Sequence, residues 1–578
     1  MKHRHSRKTL SWLSRVSGKE KWNIFFLILA QTFLGLSGIV FAWLLRGGID
    51  CAAAKDQEGF LRYAAAMVLV VALQIGVRAL SRFLDEFTRS GLENRFKQRL
   101  LAQLLVRDYA SVTARHSGEW MNRMTSDAVV VANGITDILP NVIGMIVKLG
   151  GALYALLLLM PEMGYLLVPG GIAMFLLSTV FRNKLKRLHA KIREADGKMR
   201  ILITERLTGM LIVRSFAREN QTMQEAAERM KHHRRARMKQ SNFGNFCSTG
   251  LALVVNIVYI LGVLYCSYGI LRGSVSYGSF TAVLQLIGQV QQPFAGLSGY
   301  LPRFYALLAS AERLMEAEDF AQLDVDKVLD PNQAKDFYHD RFQALGLRNA
   351  SFTYLPPAGE KAWEKKGMPV VLKNMDITIH KGECVAILGR SGSGKSTMLK
   401  LLMSLYPLDA GERYLKMRDG TESVLDARYA RLFAYVPQGN QLMSGSIREM
   451  VTFSDPQKLG DEQRIRQALE IACALDFVDA LPQGIDTKLG ERGAGLSEGQ
   501  LQRIAIARAV YSENPILVLD EATSALDEET EQRLVQNLRQ MTDRTVLLVT
   551  HRPAMLKLCT RQVILRDNQI EVTNHGNG

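Results

Sequence analysis

The sequence predicts a multidomain membrane protein, with an all-α domain of six membrane-spanning helices followed by a cytosolic α/β domain. Six long apolar stretches lie between residues 22 and 301, whereas the remainder combines mixed charge with short buried strands. One of those strands leads into a glycine-rich loop and then a helix pattern. We place the helical domain at residues 1–320, a linker at 321–341 and the α/β domain at 342–578.

The apolar stretches each have close to the roughly 20 residues that a helix needs to cross a bilayer. The predicted spans are residues 22–45, 61–77, 139–160, 165–181, 246–271 and 277–301. An even number of spans puts both termini on the same side of the membrane. Residues 1–21 hold 7 Lys or Arg against 1 acidic residue, and residues 182–240 hold 17 against 6. This basic excess predicts cytoplasmic N- and C-termini in a multi-pass protein of a bacterial inner or plasma membrane.

The net charge of +16 does not predict a nucleic-acid partner. The basic residues flank the apolar spans, and no recognition motif accompanies them. The six cysteines are scattered without a CxxC pair or nearby histidine ligands, which predicts neither a disulfide framework nor a zinc site.

Two loops, at residues 80–137 and 182–245, are longer than a bilayer turn requires and have helical periodicity. We expect them to continue the membrane helices into the cytosol and to transmit motion, although such charged helices are commonly only solvated. Before the first span, Leu10, Trp12, Leu13 and Val16 lie among basic residues and predict a short amphipathic helix at the inner interface.

The glycine-rich loop has the sequence GRSGSGKST and fits the pattern GxxxxGK[ST] between a strand and a helix. Its glycines allow backbone N–H groups to face phosphate oxygens, and the helix that follows adds its positive N-terminal end. Lys395 would contact the β- and γ-phosphates of ATP, and Ser396 would offer a hydroxyl to Mg²⁺. The predicted phosphate-binding residues are Gly389, Arg390, Ser391, Gly392, Ser393, Gly394, Lys395, Ser396 and Thr397.

A second segment, PILVLDE, reads as a buried parallel strand that ends in two carboxylates. Asp520 suits Mg²⁺ through its water shell. Glu521 suits activation of the attacking water as a catalytic base. Carboxylates also end strands for structural reasons, but this motif accompanies a phosphate-binding loop.

The segment LSEGQ at 496–500, followed by LQRIAIARA, resembles the signature of ATP-binding cassette (ABC) transporters. Nearly the whole chain resembles an exporter-type half-transporter, with six membrane helices fused to one nucleotide-binding domain. In that family the signature of one chain caps the ATP held by the other. The resemblance therefore implies a homodimer or a heterodimer with a related chain, and it places Ser497, Gly499, Gln500 and Asp527 on the partner's ATP.

The resemblance also assigns roles to residues outside these segments. Tyr354 matches the aromatic residue that stacks on adenine, and His551 matches the histidine on the γ-phosphate. Gln438 matches the glutamine that senses Mg²⁺, which makes it a catalytic, ATP-binding and metal-site candidate. Glu491 matches the segment before the signature. Residues 122–127 and 205–216 resemble the regions around the two coupling helices.

Three departures from the family pattern concern the α/β domain, and one of them, an irregular stretch around residues 411–426, is given no role. Glu498 stands where the family most often has glycine, and a glutamate is acceptable in the first turn of a helix because it faces the positive dipole end. A polar insertion at residues 355–368 is expected to form a surface loop.

Polar residues in two spans offer a cargo site. Gln285, Gln289 and Gln292 lie on one face of the last span. Amides in a span commonly hydrogen-bond to a neighbouring helix, and the alternative is a polar stripe lining a substrate cavity. Lys148 lies well inside its span, where snorkelling or pairing competes with a role in binding anionic or zwitterionic cargo.

These observations together predict an ATP-hydrolysing exporter or flippase that works by alternating access in a lipid bilayer, with ATP and Mg²⁺ as cofactors. The transported substrate is not named by the sequence. The alternatives are an ATP-gated channel or regulatory protein that does not pump, and a soluble ATPase acting on DNA ends, which the six spans argue against.

Overall fold

The computed structural model describes residues 2–322, 327–354, 368–439, 442–455, 458–490, 495–541, 543–566 and 569–574. It divides into two compact units. Unit 1 comprises residues 1–98 and 123–315, and unit 2 comprises residues 99–122 and 316–578. Residues 99–122, here called the excursion, thus belong to unit 2 although they lie between two segments of unit 1 in the sequence.

Unit 1 is built from long helices. Its helices are α1 (Lys2–Ser17), α2 (Glu20–Ala53), α3 (Gln57–Val106, which ends in unit 2), α6 (Ala128–Leu159), α7 (Gly164–Thr208), α8 (Met210–Ser215), α9 (Glu219–Leu271) and α10 (Tyr277–Met315). A π-helical turn, Arg123–Asp127, precedes α6. Within the described residues, four helices are long and apolar enough to cross a membrane: Glu20–Ala53, Gln57–Val106, Ser117–Leu159 and Glu219–Leu271.

The predicted spans agree with these helices. Four of them lie in α2, α3, α6 and α9, and the other two lie in α7 and α10, both of which contain residues whose side chains are not described. The helices also extend well beyond the apolar stretches: α3 continues to Val106 and α7 to Thr208, as the long loops predicted. A 3₁₀ turn at Pro161–Met163 joins α6 to α7.

The N-terminal helix α1 differs in one respect from the prediction. Trp12, Leu13 and Val16 are buried in unit 1, and the Trp12 ring stacks on Phe96 with a centroid distance of 5.7 Å. Leu10 is exposed. The apolar face of α1 therefore packs on protein over three of its four predicted positions, because aromatic burial against α3 competes with contact to lipid.

Unit 2 contains two larger β-sheets and short helices. The strands are β1 (Phe342–Thr353), β2 (Val370–His380), β3 (Cys384–Gly389), β4 (Ala410–Met417), β5 (Glu422–Val424), β6 (Phe433–Val436), β7 (Gly445–Ser446), β8 (Lys488–Leu489), β9 (Ile516–Asp520), β10 (Thr545–Val549), β11 (Arg561–Arg566) and β12 (Gln569–Asn574). The helices are α4 (Tyr109–Thr113), α5 (Ser117–Asn122), α11 (Pro331–Asp336), α12 (Lys395–Leu402), α13 (Ile447–Val451), α14 (Glu462–Ile471), α15 (Leu475–Asp479), α16 (Glu498–Tyr511), α17 (Glu528–Arg539) and α18 (Pro553–Leu556).

The larger sheet has the strand order β12-β11-β3-β10-β9-β6 and is parallel except for β12. Alternate residues of its central strands enter opposite cores: Leu517 and Leu519 pack with α16, whereas Ile516 and Val518 pack with α12 and the second sheet. This burial on both faces explains why the strands read as continuous apolar runs. Since β3, β9 and β10 are parallel, their carboxyl ends meet at one edge of the sheet.

Residues 330–341 of the segment predicted as a linker belong to unit 2 and make several contacts there. Asp330 caps α11 through a capping box, and Lys335 in α11 forms an ion pair with Glu513. Glu513 also pairs with Arg464 at 3.1 Å. Tyr338 is fully buried, and its hydroxyl hydrogen-bonds with that of Thr545 at 2.8 Å. The second half of the linker is thus fastened to the α/β domain.

The excursion that carries α4 and α5 also packs within unit 2. Asp108 caps α4, and its backbone N–H donates to the carbonyl of Ala321 at 2.9 Å. Ala110 belongs to the same buried core as β1 and α12. The Trp120 indole N–H donates to the carbonyl of Val112 at 3.0 Å, which ties α5 to α4.

Candidate functional site

The loop from β3 to α12 has the backbone of a phosphate cradle. Three of its glycines have positive φ values, which residues other than glycine rarely adopt: +149° at Gly389, +81° at Gly392 and +96° at Gly394. At Gly394 an added Cβ would also lie 2.8 Å from Leu372. The predicted strand–loop–helix context is confirmed, since β3 ends at Gly389 and α12 begins at Lys395.

Lys395 is held inside this loop. Its side chain is only 6% exposed, and its ammonium donates to the carbonyls of Gly389 at 2.8 Å and Arg390 at 3.1 Å. The Ser393 hydroxyl is buried and has no hydrogen-bond partner among the described residues. A buried cation and an unused hydroxyl beside a helix N-terminus fit a polyphosphate chain.

Five polar side chains form hydrogen bonds near the carboxyl ends of β6 and β9. The Ser396 hydroxyl donates to Asp520 Oδ1 at 2.9 Å, and the Tyr435 hydroxyl donates to Asp520 Oδ2 at 3.1 Å. The amide of Gln438 donates to Glu521 Oε2 at 2.7 Å. The structure therefore brings together Ser396, Asp520, Glu521 and Gln438, which the sequence had placed in one site.

Burial sets the electrostatics of this cluster. Asp520 is 1% exposed, and burial raises the pKa of its carboxyl above the ordinary value, while hydrogen bonds from Ser396 and Tyr435 act in the opposite direction. Glu521 has a φ of +51°, and its backbone N–H donates to the carbonyl of Val549 at 3.0 Å. A positive φ at glutamate costs about 1 kcal/mol or more, so the sheet holds this carboxylate in a strained position.

The donor set fits Mg²⁺. Ser396 and Asp520 offer a hydroxyl and a carboxylate, which are the hard oxygen ligands that Mg²⁺ prefers alongside substrate phosphates. No group of three or more His, Cys, Asp or Glu side chains within the described ranges could hold a metal on its own. Mg²⁺ commonly binds one or two protein ligands together with waters and substrate phosphates, so a bound nucleotide would supply further oxygens here.

Tyr354, the predicted adenine platform, belongs to an aromatic cluster. Its ring contacts Phe352 and Tyr406 with centroid distances of 5.0 and 5.6 Å, and its hydroxyl hydrogen-bonds with that of Thr397 at 2.7 Å. Tyr406 in turn contacts Tyr109 of α4 at 5.7 Å. A chain of rings thus connects α4 with the predicted platform and the phosphate loop.

The signature residues lie at the start of α16. Ser497 caps this helix through a capping box with Gln500. At Gly499 an added Cβ would lie 2.7 Å from the carbonyl oxygen of Ala525. Gln502 is buried, donates to Ser524 Oγ at 3.0 Å and accepts from the Ala525 N–H at 3.1 Å. The signature helix is therefore fixed against the loop that leads to Asp527.

The remaining predicted residues occupy defined places, with one exception. Asp527 caps α17 and accepts from the N–H of Thr530 at 2.8 Å, which together with the Thr530 hydroxyl lowers the pKa of its carboxyl. His551 is exposed two residues after β10, at the same sheet edge as the phosphate loop. Glu498 is exposed in the first turn of α16. Glu491 lies outside the described residues, as does most of the polar insertion.

The structure separates the polar residues predicted in the spans. The amide of Gln289 donates to the carbonyl of Gly38 at 2.7 Å, which is the ordinary contact to a neighbouring helix. The side-chain oxygen of Gln285 is buried without a hydrogen-bond partner among the described residues. Lys148 is half-buried beside Gly35 of α2. The side chain of Gln292 is outside the described set.

Three residues of the site were missed from the sequence: Tyr435, Tyr406 and Gln502. Each contacts a partner that is distant in the chain. For Tyr435 a signal was present, since it precedes Gln438 by three residues at the end of a short apolar strand.

Models of two protein families match the sequence of this chain. The model described as the ABC transporter transmembrane region matches residues 24–294, and the model described as ABC transporter matches residues 372–524. The chain belongs to the ABC transporter family. The match of both models in one chain confirms the predicted fusion of a membrane domain to a nucleotide-binding domain.

Individual relatives agree with this assignment. An ATP-dependent lipid A-core flippase of Haemophilus influenzae is 28% identical over 562 residues, covering 95% of this chain and 91% of the relative. A protein of the same description from Pseudomonas fluorescens is 30% identical, covering 83% of this chain and 77% of the relative. The structure of a bacterial Atm1-family ABC exporter with ATP bound matches with a TM-score of 0.78 at 21% identity, covering 96% and 95% of the two chains.

This ABC transporter is therefore an ATP-hydrolysing, multi-pass membrane protein of the exporter type. The predictions of family, fold class and ATP-driven transport are confirmed. The non-pumping channel is not favoured, because the matched relatives are described as flippases.

Proposed function

We propose that two copies of this chain, or this chain and a related one, form an ATP-driven flippase that moves a lipid-like substrate outward by alternating access. The observation that supports this most directly is the cluster of Ser396, Asp520, Gln438 and Glu521 beside the phosphate loop. It lies in a chain whose other unit is built from helices able to span a membrane. The relatives described as lipid A-core flippases favour a lipid cargo.

Each residue of the site would have its own role in ATP binding and hydrolysis. Lys395 would exchange its two backbone carbonyls for phosphate oxygens. Ser396 and Asp520 would hold Mg²⁺, with Gln438 close by, and the bound metal would neutralise phosphate charge. Glu521 would orient and deprotonate the attacking water, and its strained backbone and its bond from Gln438 would keep the carboxylate in place. His551 would contact the γ-phosphate from the end of β10.

A partner chain is supported by exposed apolar residues on α8 and the residue after it. None of the α8 residues is buried, and Met210, Leu211, Ile212 and Phe216 are all exposed, Leu211 by 81% and Phe216 by 75%. An apolar cluster of this kind in a segment predicted to be cytosolic indicates a protein contact. We propose that a partner chain covers it. Ser497, Gly499, Gln500 and Asp527 would then complete the partner's ATP site.

The cargo is proposed to contact polar groups in the spans. The candidates are the buried side-chain oxygen of Gln285 and the half-buried side chain of Lys148; the amide N–H of Gln289 donates to Gly38. Lys148 would favour a cargo with an anionic group. The termini would face the cytoplasm at a bacterial inner or plasma membrane, as the basic segments predict.

The test of the catalytic assignment is Glu521→Gln in the full-length protein in vesicles. We expect steady-state ATPase activity to fall about 10²- to 10⁴-fold, because the general base is lost. ATP binding should remain, since Lys395 and the loop are untouched. Glu470→Gln, at an exposed site on α14, is the matched control. An unchanged ATPase rate in the Glu521 variant contradicts the assignment.

Transport is tested in the same vesicles with a fluorescent lipid that carries an anionic headgroup. A flippase should move it to one leaflet only while ATP lasts, and Lys148→Met should slow this transfer more than Gln289→Leu does. Equal transfer by wild type with and without ATP would contradict pumping. Equal effects of the two variants would remove Lys148 from the cargo site.

A further inference from the structure

The Tyr435 side chain reaches the metal-site carboxylate from a neighbouring strand. In the parallel pairing of β6 and β9, Tyr435 lies opposite Val518. Asp520 is two residues further along β9 and so lies on the same face of the sheet as Val518. The phenol hydroxyl spans this offset and donates to Asp520 Oδ2 at 3.1 Å.

The two oxygens of Asp520 thereby accept hydrogen bonds from two different elements, α12 and β6. Oδ1 accepts from the Ser396 hydroxyl at 2.9 Å and Oδ2 accepts from Tyr435. A carboxylate with one hydrogen-bond donor can rotate about its last bond, whereas two donors on different elements fix its plane. Fixing matters here because Mg²⁺ demands near-ideal octahedral geometry.

We propose that Tyr435 is a positioning residue that holds the Asp520 carboxylate in the orientation needed for Mg²⁺. The inference rests on the proposed Mg²⁺–ATP site and adds a residue to it. In this proposal Tyr435 acts through Asp520 and is not itself a ligand of ATP or of the metal.

The ring and the hydroxyl of Tyr435 have separable roles. The ring packs against the core formed by α12 and β9 and contributes to stability. Only the hydroxyl reaches Asp520. Tyr435→Phe therefore keeps the packing and removes the positioning bond. Tyr511→Phe is the matched control, because Tyr511 is likewise a tyrosine whose hydroxyl donates one hydrogen bond, to the carbonyl of Lys458 at 3.1 Å, although Tyr511 is fully buried and Tyr435 is half-buried.

The experiment uses the full-length protein in nanodiscs, with Glu521→Gln in every sample to stop turnover. Binding of a fluorescent ATP analogue is titrated at a series of Mg²⁺ concentrations and in EDTA, and Mn²⁺ binding in the presence of ADP is measured by electron paramagnetic resonance. We expect Tyr435→Phe to raise the Mg²⁺ concentration for half-maximal nucleotide binding about tenfold, as for loss of one hydrogen bond to a charged group. The Mn²⁺ affinity should fall by a similar factor, and nucleotide affinity in EDTA should not change.

The outcomes separate this inference from the proposed site. If Ser396→Ala shifts the Mg²⁺ dependence and Tyr435→Phe does not, the positioning role is wrong while the metal site stands. If neither variant shifts it, or wild type shows no Mg²⁺ dependence, the proposed metal site fails and the inference fails with it. A shift of the same size in Tyr511→Phe, or an equal loss of affinity in EDTA, would show a structural effect and also overturn the inference.

Discussion

Replacing Tyr406 by leucine is expected to weaken ATP binding about 2- to 10-fold while leaving the binding of tripolyphosphate unchanged. Tyr406 contacts three aromatic rings: Tyr354 at 5.6 Å, Phe352 at 5.3 Å and Tyr109 at 5.7 Å. Each such pair contributes about 0.5–1.5 kcal/mol. Only the pair with Tyr354 bears directly on the predicted adenine platform, so the loss of ATP affinity is limited to about that one contribution.

Comparing the affinities for ATP and tripolyphosphate distinguishes loss of the base platform from damage to the phosphate loop. Tripolyphosphate has no base to stack, and its contacts lie with Lys395 and the phosphate loop, which the substitution does not touch. Both affinities are measured by displacement of a fluorescent ATP analogue from Glu521→Gln protein. Tyr406→Phe is the control, since it retains all three ring contacts and should bind both ligands as the parent does.

Two results would refute this reasoning. If Tyr406→Leu weakens tripolyphosphate and ATP equally, the substitution disturbs the phosphate loop and not a base platform. If neither affinity changes, the ring cluster does not order Tyr354, or Tyr354 does not contact adenine. Thermal unfolding of both variants completes the set, because a buried tyrosine replaced by a smaller side chain also lowers stability.

Two further predictions concern α16 and its surroundings. Gly499→Ala would place a Cβ 2.7 Å from the Ala525 carbonyl oxygen, and we expect it to lower the free energy of unfolding by about 1–3 kcal/mol and the ATPase rate at least fivefold. Gly460→Ala is the control and should match wild type in both measurements, because no heavy atom lies within 4 Å of the added Cβ. A normal ATPase rate in the Gly499 variant would contradict the close approach. Burial raises the pKa of the Glu513 carboxyl, but its ion pairs with Lys335 and Arg464 lower that pKa by a larger amount. The pKa therefore lies below its ordinary value of 4.5. The ionised Glu513 side chain therefore stabilises the folded state. Its contribution is complete above the unfolded-state pKa and is lost as the pH falls below about 5, so Glu513→Gln should make the thermal unfolding midpoint decline less steeply between about pH 5 and 3. A decline as steep as that of wild type would contradict it.

Sequence reasoning worked where the signal is local. The phosphate loop was predictable because three glycines, one lysine and the helix that follows lie within a few residues of one another. The spans were predictable because length and apolarity alone decide whether a helix can cross a bilayer. The same holds for Asp520 and Glu521, which directly end a strand that is buried on both faces.

The parts that were missed depend on pairings between distant segments. The role of Tyr435 follows from the register between β6 and β9, and that of Tyr406 follows from the excursion that brings Tyr109 into unit 2. The buried positions of Trp12 and its neighbours follow from packing against α3, where lipid would have satisfied the same pattern. Periodicity identifies an apolar face but does not say what covers it.

Positions 498 and 499 show how neighbouring residues of one motif obey different constraints. Glu498 is exposed in the first turn of α16, where its charge meets the positive end of the helix and no backbone restricts its size. Gly499 faces the Ala525 carbonyl at a distance that excludes any side chain. Because Gln502 bonds both Ser524 and Ala525 from the same helix, this close approach is set within the chain itself. In the proposed dimer, the departure from the family pattern at Glu498 would therefore change the charge that faces the partner's nucleotide, while the close approach at Gly499 is retained.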